Sequence, residues 1–67
     1  MKLKMVFVGF DRKEEVVEVN GQKYSDILES LGINPETVVI VKDGLPVPTD
    51  EVAEEGEVKV IRVISGG

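Results

Sequence analysis

The chain contains no cysteine and no histidine. Those two absences close off more chemistry than the residues present open. Without a thiol there is no disulfide framework and no thiolate nucleophile. Without imidazole there is no side chain that ordinarily titrates near neutral pH, and the two absences together remove the usual ligands of a zinc site. A protein of this composition carries sulfur only if another molecule delivers it. No apolar run exceeds four residues, as in Val38-Val39-Ile40-Val41, against the about 20 that a membrane-spanning helix needs. No signal peptide precedes the first strand. The expectation is a soluble cytoplasmic protein with no membrane association. Positive charge is scarce as well, with 8 basic residues against 13 acidic ones and a formal net charge of −5. Phosphate backbones reward clustered Lys and Arg, so nucleic acid is not the expected partner. An acidic surface suits a partner with a basic face, or simply keeps the chain in solution.

The 67 residues make one domain. A chain of this length buries only about 60% of the surface it exposes when unfolded. That sustains one small core but not a deep, polar, preorganised pocket beside it, which argues against a self-sufficient enzyme. The pairs Glu14-Glu15 and Glu54-Glu55 resemble catalytic carboxylates. Side chains adjacent in sequence rarely share a site, and neither pair is assigned catalysis. No catalytic residue and no metal ligand set is identified.

What is present has a clear periodicity. Leu3, Met5 and Phe7 alternate with Lys4, Val6 and Val8, which predicts a strand over residues 3–10 with one face buried. Charged residues 11–14 predict a turn, and residues 15–19 a second strand with Val17 and Val19 on one side, forming an antiparallel hairpin. After Asn20-Gly21 the period changes. Tyr24, Ile27, Leu28 and Leu31 lie at i, i+3, i+4 and i+7, one stripe of an amphipathic helix that Gly32 and Pro35 bring to an end near Leu31. Ser25 is a local capping candidate for its start. Residues 37–42 predict a strand with apolar residues on both faces, Asp43-Gly44 a tight hairpin, and Leu45–Val47 a short strand that Pro46 and Pro48 confine to a sheet edge. Residues 49–57 read as an acidic irregular turn, and Val58–Ile64 as the last strand. The expected fold is α+β: a β-grasp, with a mixed sheet of four to five strands and one helix packed on one face. The domain spans 1–64, and 65–67 form a flexible Ser-Gly-Gly tail.

That tail carries the chemistry. Two terminal glycines arise by chance roughly once in 200 chains, but here they follow the final strand after one small spacer. Glycine lacks Cβ, so Gly66-Gly67 can thread a narrow channel into another protein's active site. The bland alternative is an idle terminus. If Val58, Val60 and Ile64 face the core, then Lys59, Ile61 and Val63 face outward. Ile61 and Val63 then form an apolar patch beside the tail of the kind that marks partner docking. Arg62 either turns outward from the inner face or pairs with acidic groups on a partner; the residues alone do not decide between these.

From Asp43-Gly44-Leu45-Pro46-Val47-Pro48 through the acidic turn to Val58-Lys59-Val60-Ile61-Arg62-Val63-Ile64-Ser65-Gly66-Gly67, the chain resembles the ubiquitin-like sulfur-carrier and modifier superfamily. Its members include the thiazole-synthesis sulfur carrier, the small subunit of molybdopterin synthase and the ubiquitin-related modifier. The resemblance covers nearly the whole chain and is closest to the small archaeal modifier proteins. It implies a substrate rather than an enzyme. An E1-like activating enzyme, using ATP and Mg²⁺, would adenylate the Gly67 carboxylate. The adenylate would then become a thiocarboxylate or an isopeptide bond to a lysine of a target protein. No cofactor would be bound by the chain itself, which would be monomeric when free. The implied partners are the activating enzyme and either target lysines or a sulfur-acceptor enzyme, with Ile61, Arg62, Val63 and Ser65 as the contact residues. Ser65 stands where ubiquitin has a second arginine, so recognition by deubiquitinases does not carry over. Among the lysines Lys2, Lys4, Lys13, Lys23, Lys42 and Lys59, the last, beside the tail, is the candidate acceptor for chain formation. The alternatives are an obligate small subunit of a sulfur-inserting enzyme such as molybdopterin synthase, and a plain β-grasp interaction module.

Overall fold

The computed structural model describes residues 1–63. Its elements are β1 (Lys2–Val8), β2 (Glu14–Glu18), α1 (Tyr24–Ser30), a 3₁₀ turn (Pro35–Thr37), β3 (Val38–Lys42), β4 (Leu45–Val47) and β5 (Gly56–Arg62). The five strands form one sheet in the order β2-β1-β5-β3-β4. β1 and β5 run parallel, with Met5 opposite Val58 and Phe7 opposite Val60, while the other three pairings are antiparallel. One helix on one face of a mixed sheet, with the last strand beside the first, is the β-grasp arrangement.

Alternation decides which face is closed. Leu3, Met5 and Phe7 of β1, Val38 and Ile40 of β3, and Val58 and Val60 of β5 point the same way and are buried. They form one core with Tyr24, Ile27 and Leu28 of α1, and Val19, Ile33 and Ala53 complete it. The helix begins at Lys23, whose backbone N–H donates to Asp26 Oδ2 at 3.2 Å, so Asp26 rather than Ser25 supplies the capping group. It ends at Ser30 with Leu31 as its C-cap, near Leu31 as expected. Gly32, at φ +78°, lets its N–H reach the Glu29 carbonyl while Ile33 N–H reaches that of Leu28. Those two bonds satisfy the last orphan carbonyls and fold Ile33 back onto the core.

The structure corrects several expected boundaries. β1 stops at Val8 rather than Phe10, because Gly9 takes φ +85° and turns the chain. β2 starts and stops one residue earlier than expected, although Val19 just beyond it is still buried. Thr37 belongs to the 3₁₀ turn, where the Asn34 side chain accepts the Glu36 N–H at 2.9 Å, so β3 starts at Val38. β5 begins two residues before Val58, since Gly56 and Glu57 pair with Leu3 and Lys4, and it ends at Arg62. The acidic segment is not a free-standing turn. Ser25 N–H donates to the Thr49 carbonyl, Tyr24 N–H to that of Glu51, and Ala53 N–H to that of Gln22, which ties it along the start of α1. The Asp43-Gly44 hairpin and the edge position of β4 hold: both turn residues have positive φ, as a type I′ turn requires.

Candidate functional site

β5 lies at the middle of the sheet and leads straight into the C-terminal residues. The side away from α1 carries Lys59 and Ile61. Ile61 sits between Val8 of β1 and Val39 of β3, and Lys59 between Val6 and Val41. These residues make a contiguous β-branched surface on the open face, rimmed by charge where Lys4 reaches Glu14 at 3.5 Å and Glu57 at 3.9 Å. Val8 is 46% exposed and Val16, opposite Lys4, 57%. Ile61 is less open than its phase implies. Its two flanking valines cover it partly, so it is the half-buried centre of a patch rather than a protruding residue.

Val63 is 41% exposed, and its N–H donates to the Thr37 carbonyl at 2.8 Å, which fixes the direction in which the chain leaves the sheet. Arg62 falls in phase with Val58 and Val60 but lies past the edge of the core. Its guanidinium carbon stands 5.5 Å from the centre of the Phe10 ring. An inner-face arginine thus reaches the surface by lying over an aromatic ring. Lys59 is exposed, with its ammonium in solvent. Ser65, Gly66 and Gly67, named as the tail and its activated end, lie outside the described residues, as does the expected domain boundary after residue 64. Among the described residues no group of acidic side chains comes together that would hold a metal ion, and no helix is long and apolar enough to cross a membrane.

Sequence reasoning named Ile61 and Val63 but missed Val6, Val8, Val39 and Val41 as parts of the same surface. The signal was available: β1 and β3 carry apolar residues in both phases. It becomes a patch only once the parallel register sets Val8 beside Ile61.

The model of the small archaeal modifier protein 2 family matches residues 1–64. The chain belongs to that family. An uncharacterised protein of Archaeoglobus fulgidus is 79% identical over 67 residues, covering both chains fully. The small archaeal modifier protein 2 of Haloferax volcanii is 36% identical, again over the full length of both. The sulfur carrier protein TtuB of Thermus thermophilus is 49% identical over 59 residues, covering 85% of this chain and 88% of the relative. Small archaeal modifier proteins are carriers rather than catalysts.

Proposed function

We propose that the protein is a modifier and sulfur carrier whose reactive group is the carboxylate of Gly67. The observation that carries this reading is the Gly66-Gly67 pair, which follows β5 in the sequence after Val63, Ile64 and Ser65, in a member of the small archaeal modifier protein 2 family. A carboxylate is a poor electrophile because its negative charge and weak leaving group resist attack. An E1-like activating enzyme with ATP and Mg²⁺ supplies what is missing. The carboxylate oxygen attacks the α-phosphorus, pyrophosphate leaves, and the glycine becomes an acyl-adenylate. A lysine amine of a target protein then attacks the carbonyl, loses a proton and expels AMP, giving an isopeptide bond. A sulfide-level nucleophile in the same step gives a thiocarboxylate that passes sulfur to an acceptor enzyme.

This chain contributes the acyl end and the docking surface. Its lack of cysteine leaves no internal thiol to capture the activated carbonyl. Val8, Val39 and Ile61, with Val63 beyond them, offer apolar area next to the point where the chain leaves the sheet, and Lys59 offers an exposed amine for chain formation.

Intact-mass analysis of protein from native cells tests the reading. Expected are a terminus at Gly67, a fraction in which one oxygen is exchanged for sulfur, and target peptides bearing Val-Ile-Ser-Gly-Gly on lysine, the remnant left by trypsin after Arg62. The remnant is longer than Gly-Gly, so a search set for the shorter tag misses it. Absence of both species, together with an unchanged phenotype when Gly67 is deleted, overturns the proposal. An obligate enzyme subunit would instead purify as a stable heterodimer.

A further inference from the structure

The chain has only two arginines and two phenylalanines, and all four meet at one end of the molecule. The Arg12 guanidinium carbon lies 5.5 Å from the centre of the Phe7 ring. Phe7 meets Phe10 edge to face at 5.3 Å and 72°, and Arg62 lies 5.5 Å over Phe10. The result is a cation–ring–ring–cation series built from β1, the β1–β2 connection and the end of β5. It borders a cleft of about 380 Å³ whose other wall is the turn after α1, with Leu31, Gly32, Ile33, Asn34 and Thr37. The ionic groups lining the cleft are Arg12, Arg62 and Asp11. Two guanidiniums against one carboxylate make this a positive end on a chain of net charge −5. Among the described residues Glu15 is the carboxylate within ion-pair distance of Arg12, at 3.9 Å across the surface. Among the described residues no carboxylate lies within ion-pair distance of Arg62.

Two further facts separate this from scattered surface charge. The six lysines are spread over the chain, whereas arginine occurs at this end alone. Guanidinium is less strongly hydrated than ammonium, stacks on rings, and presents paired donors that fit a carboxylate. The turn that places Phe10 also depends on a glycine. Gly9 is at φ +85°, and a Cβ there would come to 3.3 Å of Arg62 Cβ, so the bare backbone lets the β1–β2 connection close against β5.

We propose that this cleft docks an acidic segment of a partner protein, with Asp or Glu carboxylates on Arg12 and Arg62 and an apolar side chain resting on Phe10 and Leu31. Charge selects this occupant over a basic one: a basic segment would meet two cations. The choice of partner, a protein that handles the tail, rests on the proposed function. Gly67 lies five positions beyond Arg62, at most about 17 Å of extended chain, so whatever grips the cleft has the terminal carboxylate within reach. The cleft opens on the helix side of β5 and the valine patch on the other, so one partner can hold the exit strand from both sides.

Binding at the cleft is measurable without the activation reaction. The ¹⁵N-labelled protein is titrated with the acetylated, amidated pentapeptide Glu-Leu-Asp-Glu-Leu and with its Gln-Leu-Asn-Gln-Leu counterpart. Expected are saturable shifts confined to Phe10, Arg12, Gly32, Asn34 and Arg62 with the acidic peptide, absent with the neutral one. Arg12→Gln and Arg62→Gln should each weaken binding about two- to fivefold, the size of one exposed charge contact. Lys2→Gln and deletion of Gly66-Gly67 should leave it unchanged. Dispersed spectra and an unshifted melting transition show that the variants are folded, and Arg62→Lys serves as a milder second variant with intermediate affinity. No binding, equal binding of both peptides, shifts elsewhere, or indifference to both arginine substitutions overturns the proposal. So does tighter binding of a hexauridylate at these residues. Because Gly67 is not needed for this readout, failure here leaves the mass-spectrometric test of the tail standing, and the reverse also holds.

Discussion

The two faces of the sheet are built from nearly the same residue types and do opposite things. Toward α1, Leu3, Met5, Ile40, Val58 and Val60 are at most 1% exposed. On the other face Val6, Val8, Val39, Val41 and Ile61 belong to the same strands and Val16 to the neighbouring β2, yet no element of the described residues lies over them. Alternation puts both sets in place, and only one helix is available to cover them. A chain this short closes one face and leaves the other open. Composition alone does not distinguish the faces. What distinguishes them is the charge around each. Lys4, Lys59, Glu14 and Glu57 rim the open face, whereas no charged side chain is buried on the closed one.

The difference breaks most sharply in the core. Ile40→Ala removes a fully buried side chain from β3 and is expected to cost about 2–5 kcal/mol, much of the stability of a domain this size. Urea unfolding followed by circular dichroism measures the loss. The matching change on the open face, Val8→Thr with Ile61→Thr, keeps the β-branched shape. It is expected to change stability by about 1 kcal/mol or less while lowering the rate of activation by a partner enzyme about tenfold or more, as loss of a central apolar contact does. A double variant that loses stability as the core variant does, or that is activated normally, would erase the distinction between the faces.

Between these extremes lies Gly9→Ala. The positive φ makes alanine unfavourable there by about 1 kcal/mol, and the added Cβ presses on Arg62. The expected result is a modest fall in the unfolding midpoint together with a shifted Arg62 side-chain resonance in NMR spectra. Gly21→Ala, at φ +90° with open space around the added methyl, should show a comparable fall in midpoint without the Arg62 shift.

The elements that were legible in the sequence are those set by local rules. The stripe Tyr24, Ile27, Leu28 and Leu31 fixes the helix, Gly32 its end, and Asp43-Gly44 the hairpin, because each depends on residues within a few positions. Non-local pairing was hidden. Gly56 and Glu57 look like loop residues and become strand only because β1 lies alongside. The acidic segment is held to α1 through backbone groups, which leave no side-chain pattern to read. The open-face patch needed the register of three strands, and the meeting of Phe7, Phe10, Arg12 and Arg62 needed the turn at Gly9. The site proposed at the end of the chain rests on different signals, two glycines and an end group, which require no fold to be noticed.

The smallest expected effect concerns the charged rim of the open face. The Met1 ammonium pairs with Glu18, whose backbone lies opposite Lys2 across the β1–β2 ladder. The hydrogen bond from that ammonium, then its charge, holds the Glu18 carboxyl below the ordinary value of 4.5, with Lys2 adding to the effect. A carboxyl depressed in the folded state contributes stability above its unfolded pKa and loses it as pH falls through the folded one. Glu18→Gln should therefore be slightly less stable than the parent protein at pH 7, and the gap should close on acidification below about pH 4.5. The pair is fully at the surface, so salt should narrow the gap at pH 7 as well. Paired urea titrations at pH 7 and pH 3, in low and high salt, read this directly. A difference that persists at pH 3 would mean that Glu18 acts through packing rather than charge, and the rim would then belong with the closed face in how it stabilises the fold.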